Sequence, residues 1–271
     1  MSGLVITADD LGMSPGVTRG IIEACHDGVV RSTSLLVTFP DSDEGAALAR
    51  AVARLEIGLH LDLVGGHPIS DPSRVRSLVD GDGRFHRLGG FTARLLSGRI
   101  RAAELALEIR AQAARAAALG VPALAWDSHR HVHLLPPVLR VVAPLAREHG
   151  VRWLRRGAPP RGGAAAKAQA LGLATLLGAP FARAIGGNDW YLDLSSLRVR
   201  PDAATVALFA TYGGLGELGA HPGHPDAALE ATGDTLVLRR HDDLVVLTDP
   251  LLRTALGDDT VRHRVQTPGG R

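Results

Sequence analysis

A chain of 271 residues, 45% hydrophobic and 21% charged, has the length and composition of one large α/β domain. Its formal net charge is only +2, and no stretch combines basic with aromatic residues, which argues against a nucleic-acid partner. A single cysteine excludes an intrachain disulfide and a cysteine-based zinc cluster, and no apolar run is long enough for a signal peptide or a membrane span, so we expect a cytoplasmic location.

Strand-like and helix-like segments alternate along the chain, which favours a mostly parallel sheet, closed or nearly closed into a barrel. Short apolar runs indicate strands, and longer stretches with apolar residues three or four apart indicate helices. In chain order we predict a strand over 4–8, a helix over 16–26, a strand over 34–38, a helix over 43–54, a strand over 57–61, a helix over 100–119, a strand over 123–126, a helix over 136–150, a strand over 151–154, helices over 164–177 and 203–212, a strand over 215–220, and helices over 239–247 and 250–256.

One domain is therefore expected over 1–257, followed by a polar C-terminal tail over 258–271. The segment from about 64 to 90 breaks the alternation, because it is rich in Gly, Pro, Asp and Ser and has little periodicity. Loops of this length in a compact domain are usually functional or mobile, so we interpret it as an insertion over the mouth of the site. Residues 155–200 give no comparable indication of their role.

Polar motifs follow or end four of the predicted strands. Asp9-Asp10 follows the first strand, His60 lies in the third, the segment 127–133 follows the fourth, and His221 follows the last. Active sites of parallel barrels gather at the C-terminal ends of the strands, so we expect these residues to meet. One carboxylate and two imidazoles would form a divalent-metal site with room left for water, which predicts a hydrolase.

The adjacent carboxylates of Asp9 and Asp10 would repel each other unless a cation or a proton offset them. Neighbouring strand residues point in different directions, so one could ligate the metal while the other faces the substrate as a base. A helix cap or a solvated loop is the alternative. His60, which lies between leucines, could equally be a core histidine with satisfied hydrogen bonds.

The segment DSHRHVH is more specific. Its histidines alternate, so an extended backbone would place His129, His131 and His133 on one face. Not all three need bind metal, since a spare imidazole could orient substrate, and Asp127 is placed to fix the tautomer of a ligating histidine. The alternative is a polar loop that is rich in histidine. His221, at a strand end, is a candidate general acid.

Together, the motifs ADDLGMSPGVTRGI, GLHLDL, DSHRHVHLLPPV and the late His-Pro pair resemble those of the YdjC-like carbohydrate deacetylases. That family includes chitooligosaccharide deacetylases and the hopanoid-biosynthesis deacetylase group. The resemblance runs from about Leu4 to Pro222. It implies a distorted (β/α) TIM-like barrel related to the polysaccharide deacetylases, and hydrolysis that removes the acetyl group from an N-acetylated amino sugar.

Carried over residue by residue, the resemblance makes Asp10, His60 and His129 the ligands of one divalent ion, magnesium or zinc. Asp9 would be the catalytic base and His221 the acid that protonates the departing amine. These roles are expectations from the resemblance, and the residues alone do not determine the identity of the metal.

The other site candidates would support the ligands or contact the substrate. Arg130 stands where some relatives carry His or Gln, so it could alter substrate contacts. Sugars favour aromatic platforms, and Trp126 directly precedes the metal motif, although a buried barrel tryptophan is an equal alternative. The candidates for these supporting roles are Asp127, His131, His133, Trp126 and Arg130.

Two other functions stay open. Another metal-dependent amidase or esterase would use the same ligands, whereas a phosphoesterase would need an arginine cluster or a second metal. A non-catalytic metal- or sugar-binding protein would have no need of Asp9 beside the ligand Asp10. We expect the binding partner to be a small-molecule carbohydrate. A homodimer is also expected, on the sole ground that it is the commonest assembly among soluble oligomers.

Overall fold

Parallel strands form a curled sheet at the centre of the molecule. The computed structural model describes residues 3–160, 166–197 and 201–265. The strands are β1 (Gly3–Leu11), β2 (Ser32–Leu35), β3 (Glu56–Leu61), β4 (Ala125–Ser128), β5 (Trp153–Leu154), β6 (Trp190–Asp193), β7 (Leu215–Ala220) and β8 (Val261–Arg262). Neighbouring strands follow the order β5-β4-β3-β2-β1-β7-β6, β8 pairs beside the start of β1, and the pairings are parallel.

The helices connect these strands and pack on the outside of the sheet. They are α1 (Pro15–His26), α2 (Ser42–Arg50), α3 (Leu88–Leu96), α4 (Ala102–Ala118), α5 (Pro136–Glu148), α6 (Ala166–Gly178), α7 (Ala203–Phe209), α8 (Ala227–Ala231), α9 (Val237–Leu247) and α10 (Pro250–Thr260). None of the helices in the described ranges has the length and apolarity needed to cross a bilayer.

The two edges of the curled sheet approach each other without pairing as regular strands in the described part of the chain. The amide of Leu154 in β5 donates to the carbonyl of Gly186 at 2.9 Å, and the amide of Tyr191 in β6 donates to the carbonyl of Ala158 at 2.6 Å. Irregular backbone therefore bridges the gap. The predicted fold class, an α/β barrel of distorted and incomplete regularity, is confirmed.

Side chains of β1 alternate between two apolar environments. Leu4, Ile6 and Ala8 belong to the large core, whereas Val5 packs in a separate small cluster with Trp153. Because alternate strand residues point to opposite faces, Thr7 and Asp9 share the inner face with Val5. The hydroxyl of Thr7 donates to the carboxylate of Glu217 on β7 at 2.9 Å, in agreement with this orientation. The inner face is therefore where polar groups collect.

Several predicted elements are confirmed with nearly the expected bounds. Helix α1 starts at Pro15, and its N-cap Ser14 accepts a hydrogen bond from the amide of Val17 at 3.3 Å. Helices α4 and α5 and strand β7 match the segments predicted over 100–119, 136–150 and 215–220. Helix α6 matches the helix predicted over 164–177, of which 164 and 165 lie outside the described residues.

The segment 64–90 is more ordered than its composition suggests. It contains a 3-10 turn over Pro72–Arg74 and an antiparallel bridge between Val79 and Phe85, and α3 begins within it at Leu88. The fully buried carboxylate of Glu108 on α4 accepts hydrogen bonds from the amides of Ile69 and Ser70 at 3.0 and 2.9 Å. These long-range contacts anchor the segment, and a periodicity analysis cannot detect them.

The C-terminal residues differ from the expected polar tail over 258–271. Helix α10 is broken at Gly257 (φ 61°), after which helical backbone resumes up to Thr260; β8 then pairs with β1, and Arg264 and Val265 are buried. Arg264 is charged, yet its burial is offset by ion pairs with Glu56 and Asp127, which lie far away in sequence. Residues 266–271 lie outside the described residues.

Candidate active site and metal centre

The ends of strands β1, β3, β4 and β7 meet around one small cavity. Its volume is about 60 Å³. It is lined by Asp9, Asp10, His60, Ser128, His129, Arg130, His131, Asp193, Ser195, His221, Asp234 and Leu236. The structure therefore brings together residues from all four sequence motifs.

A bulge in β1 directs two adjacent carboxylates to this cavity. Ala8 is paired with Thr33 and Leu11 with Leu35, so Asp9 and Asp10 together lie opposite one residue of β2. Asp10 has a φ of 73°, in the left-handed region that side chains other than glycine rarely adopt. Strain of this kind is typical of functional sites. The bulge lets both side chains face the cavity, which a regular strand would not allow.

Asp10, His60 and His129 form a cluster with the dimensions of a metal site. The Oδ1 atom of Asp10 lies 3.4 Å from Nε2 of His60 and 3.0 Å from Nδ1 of His129. The three candidate ligand atoms all lie within 4.8 Å of one another. One carboxylate and two imidazoles suit a divalent ion, with coordination positions left for other ligands. The donor set therefore fits the expected ion.

A second cluster in the same region meets the same distance criterion but fits an ion less well. It consists of Asp9, His60 and Asp127. The carboxylates of Asp9 and Asp127 both bind the buried guanidinium of Arg155, at 2.7 and 2.8 Å. The guanidinium of Arg155 already supplies a positive charge there, so the cluster around Asp10 is the better candidate for a metal ion.

The second oxygen of Asp10 is held by an arginine that the sequence did not single out. Nη2 of Arg240 on α9 lies 2.7 Å from Oδ2 of Asp10, and its Nε lies 2.8 Å from Oδ2 of Asp234. Burial by itself would raise the pKa of Asp10, but the charges of Arg240 and His129 outweigh it and hold that pKa well below its usual range. Asp10 is therefore ionised and presents Oδ1 to the two histidines.

His60 is oriented by Asp127 on the neighbouring strand. The two residues are paired in register, and Nδ1 of His60 lies 2.6 Å from Oδ1 of Asp127. Nε2 is thereby left facing Asp10. Burial would lower the pKa of His60, but the carboxylates of Asp127 and Asp9 overcome it and raise that pKa to about 10. A metal ion at Nε2 would replace this proton.

Asp9 is fixed by Arg155. Its two carboxylate oxygens accept hydrogen bonds from Nη1 and Nη2 of Arg155 at 2.7 and 2.8 Å, and the hydroxyl of Ser34 donates to Oδ1 at 3.1 Å. Burial would raise the pKa of Asp9, but the charges of Arg155 and then His60 hold it below its usual value. Asp9 is an oriented carboxylate that is ionised at neutral pH.

Arg155 is the centre of a buried charge network that the sequence analysis missed. Besides Asp9, it contacts Asp127 at 2.8 Å and Glu217 at 2.9 Å, and its side chain is fully buried. It directly follows the predicted strand over 151–154, and that position at a strand end was the signal that could have identified it.

The segment DSHRHVH is not extended, so the expectation that its histidines share one face was wrong. Arg130 and His131 have φ values of 56° and 58°, and a turn of 3-10 character runs from His129 to Leu134. The turn sends successive side chains in different directions. Of the three histidines, only His129 reaches the candidate metal cluster with Asp10 and His60.

The other two histidines have separate environments. His131 lines the cavity, with its ring 5.2 Å from that of Tyr191 and Nε2 3.5 Å from Oδ2 of Asp193. His133 is fully buried, and its ring nitrogens contact the hydroxyl of Ser128 at 2.6 Å and the carbonyl of Arg155 at 3.0 Å. Burial lowers the pKa of His133 to about 3, so it supports the backbone as a neutral ring.

His221 follows β7 and lines the same cavity. Its Nδ1 lies 3.8 Å from Oδ1 of Asp193, and its amide donates to Oδ2 of Asp243 at 2.8 Å. Burial and the nearby Asp193 raise the pKa of Asp243. Two carboxylates that the sequence analysis did not identify therefore surround the candidate acid.

Trp126 does not line the cavity, which corrects its selection as a substrate platform. Its indole is 1% exposed, belongs to the large core, and lies 5.6 Å from the ring of His149. Successive residues of β4 point to opposite faces, so Asp127 points inward and Trp126 points toward the helices.

A wide groove opens beside the cavity. Its volume is about 840 Å³, and it shares His129, Arg130 and Asp234 with the cavity. Residues from the segment 64–90 form one wall, and Phe39, which is partly buried, contributes an aromatic side chain that sequence reasoning missed. Arg130 lies 3.5 Å from the hydroxyl of Thr235 on another wall. The groove is large enough for a sugar of more than one unit.

The sequence model of the YdjC-like protein family matches residues 3–258. A carbohydrate deacetylase from Brevibacillus brevis is 33% identical over 263 residues, which cover 96% of this chain and 96% of that protein. A chitooligosaccharide deacetylase from Klebsiella pneumoniae is 39% identical over 150 residues, which cover 55% of this chain and 57% of that protein.

A solved structure also resembles this chain over most of its length. It is a protein from Enterococcus faecalis that carries a provisional description as a cellobiose-phosphate cleavage protein. It is 27% identical, the match covers 95% of each chain, and the TM-score is 0.78.

Proposed function

The chain belongs to the YdjC-like protein family, and from that premise we propose that it is a metal-dependent hydrolase that removes the acetyl group from an N-acetylated amino sugar. The names of its relatives, carbohydrate deacetylase and chitooligosaccharide deacetylase, support a sugar with an acetamide group. The groove beside the cavity supports an oligosaccharide or glycoconjugate over a single free sugar.

One observation carries the proposal. Two adjacent carboxylates reach the same cavity with different partners, since Asp10 faces His60 and His129 whereas Asp9 is bound by Arg155. A protein that only binds metal needs the first arrangement alone. The second supplies an ionised and oriented base beside the metal site, which favours hydrolysis over simple binding.

The chain's residues divide the reaction between them. A divalent ion held by Asp10, His60 and His129 would lower the pKa of a water molecule and polarise the acetamide carbonyl. Asp9 accepts the proton of the attacking water, and its contact with Arg155 keeps the carboxylate in place. His221 protonates the nitrogen as the carbon–nitrogen bond breaks. The products are acetate and a free amino sugar.

The supporting residues act through these groups. Asp127 fixes the orientation of His60, and Asp193 lies beside both His131 and His221. His131 and Arg130 line the cavity, which supports a role for them in contacting the substrate. The choice between magnesium and zinc, the cytoplasmic location and the homodimer stay predictions.

The test is acetate release from N-acetylglucosamine, chitobiose, longer chitooligomers and a lipid-linked analogue. Metal-loaded protein is compared with chelated protein and with Asp9→Asn. Release that requires both the metal and Asp9 is the expected result, and the preferred compound identifies the substrate. Tight metal binding without release from any of these compounds would contradict deacetylation and favour another amide or ester, or a binding protein.

A further inference from the structure

Arg264 enters the barrel from the side opposite the site. It follows β8, and β8 pairs with Leu4 and Val5 at the start of β1, where the strands of a parallel sheet begin. Its side chain is fully buried. The family match ends at residue 258, so this arginine lies in a segment that the match does not include.

The environment of Arg264 is built to hold a guanidinium. Its Nε lies 3.1 Å from a carboxylate oxygen of Glu56, and its Nη2 donates to the carbonyl of Thr33. Gly58 on β3 leaves the necessary space, because a Cβ atom there would lie 2.5 Å from Nη2. These groups come from the neighbouring strands β2 and β3, which together fix the position of the charged group.

The remaining contact of Arg264 leads to the metal cluster. Its Nη1 lies 3.1 Å from Oδ2 of Asp127, and Arg155 contacts the same oxygen at 2.8 Å. The other oxygen of Asp127 lies 2.6 Å from Nδ1 of His60. Two guanidinium groups therefore hold one oxygen, and the other remains available to orient the histidine.

We propose that Arg264 is a positioning residue for the metal centre, acting through Asp127 to direct Nε2 of His60 toward Asp10. This inference rests on the proposed metal site. It gives the C-terminal segment a role in metal binding in addition to packing.

The charges around Asp127 explain why a second arginine is needed. Arg155 carries one positive charge but contacts three buried carboxylates, those of Asp9, Asp127 and Glu217. Without Arg264, three carboxylates would share one guanidinium, and Asp127 would lose one of the two cations that fix its position beside His60. Residues that orient metal ligands in this way commonly change metal affinity by about 10- to 100-fold when they are replaced.

The experiment measures Co²⁺ binding by the full chain, using competition with a chelator for the affinity and the visible absorption of bound Co²⁺ for the ligand geometry. Arg264→Gln is expected to weaken binding by about 10- to 100-fold and to change the spectrum. Arg262→Gln is the matched control, because Arg262 lies in the same segment with an exposed side chain and should leave both readouts unchanged.

Arg264→Lys gives a second test if the glutamine variant does not fold. One ammonium cannot hold Asp127, Glu56 and the carbonyl of Thr33 together, so binding should weaken by at least about threefold. Unchanged affinity and spectrum in a folded Arg264 variant would overturn the inference, even if thermal stability fell. No Co²⁺ binding by the unmodified protein would overturn the metal site of the proposed function, and this inference with it.

Discussion

Asp9 and Arg155 form a two-point ion pair in the interior of the barrel, with distances of 2.7 and 2.8 Å and no more than 1% of either side chain exposed. The next residue, Asp10, makes no such pair with Arg155 and instead faces two histidines and Arg240. The β1 bulge thus gives two adjacent carboxylates separate environments, on which the separate roles proposed for them rest.

Asp9→Asn should lower the rate of deacetylation by roughly 100- to 10,000-fold, because the amide cannot accept the proton of the attacking water. Metal affinity should remain close to that of the unmodified protein, since Asp9 is outside the preferred ligand cluster. Acetate release and metal titration measure the two effects. Asp27→Asn, at an exposed position after α1, is the control. Equal loss of metal binding and activity would contradict the separation of roles.

Arg155→Gln should reduce the free energy of unfolding by about 3–5 kcal/mol, because it leaves Asp9, Asp127 and Glu217 without their shared buried counter-charge. Arg110→Gln breaks the exposed pair with Glu148 and should cost less than about 1 kcal/mol. Urea denaturation compares the two variants. Similar losses of unfolding free energy in the two variants would show that the buried network stabilises the fold no more than the exposed ion pair does.

His129→Gln should weaken divalent-metal binding by more than about 100-fold, because loss of a direct ligand exceeds the usual effect of a supporting residue. His131→Gln should leave the metal affinity nearly unchanged, because the turn at Arg130 points His131 toward Tyr191 and Asp193. Calorimetric titration with Zn²⁺ or Mg²⁺ distinguishes them. Comparable losses in both variants would support the extended arrangement that the structure does not show.

His133 should make metal-free protein less stable as the pH falls below about 6.5. Its pKa is lowered to about 3 by burial, so in that range the unfolded chain gains a proton that the folded chain does not. The loss should be about 1.5 kcal/mol between pH 6.5 and 5. Urea denaturation of His133→Gln at both pH values should show a smaller pH dependence, while the exposed control His26→Gln retains it. An unchanged slope in His133→Gln would refute this assignment.

Phe39→Ala should raise KM for chitooligomers by about tenfold with little change in kcat, because Phe39 lines the groove away from the reacting groups. Trp126→Phe should leave KM unchanged, because that ring faces the helices. Steady-state kinetics on one substrate measures both. A rise in KM in the Trp126 variant alone would restore Trp126 as the sugar platform.

The sequence by itself determined the alternating strands and helices and the position of the polar motifs. Apolar periodicity and end signals such as Ser14-Pro15 are local, so α1, α4, α5 and β7 could be predicted nearly to their bounds. Parallel strands align their C-terminal ends, so the meeting of Asp10, His60 and His129 was also predictable.

Only the tertiary structure decided how charges pair inside the barrel. The contacts of Asp9 with Arg155 and of Asp127 with Arg264 join residues 146 and 137 positions apart, and they depend on strand register and on which face each residue occupies. The left-handed turn at Arg130 and the outward direction of Trp126 likewise follow from the assembled sheet. A buried charge is stable only when an opposite charge lies beside it. Here the opposite charge comes from a distant part of the chain, so no local sequence pattern identifies the pair.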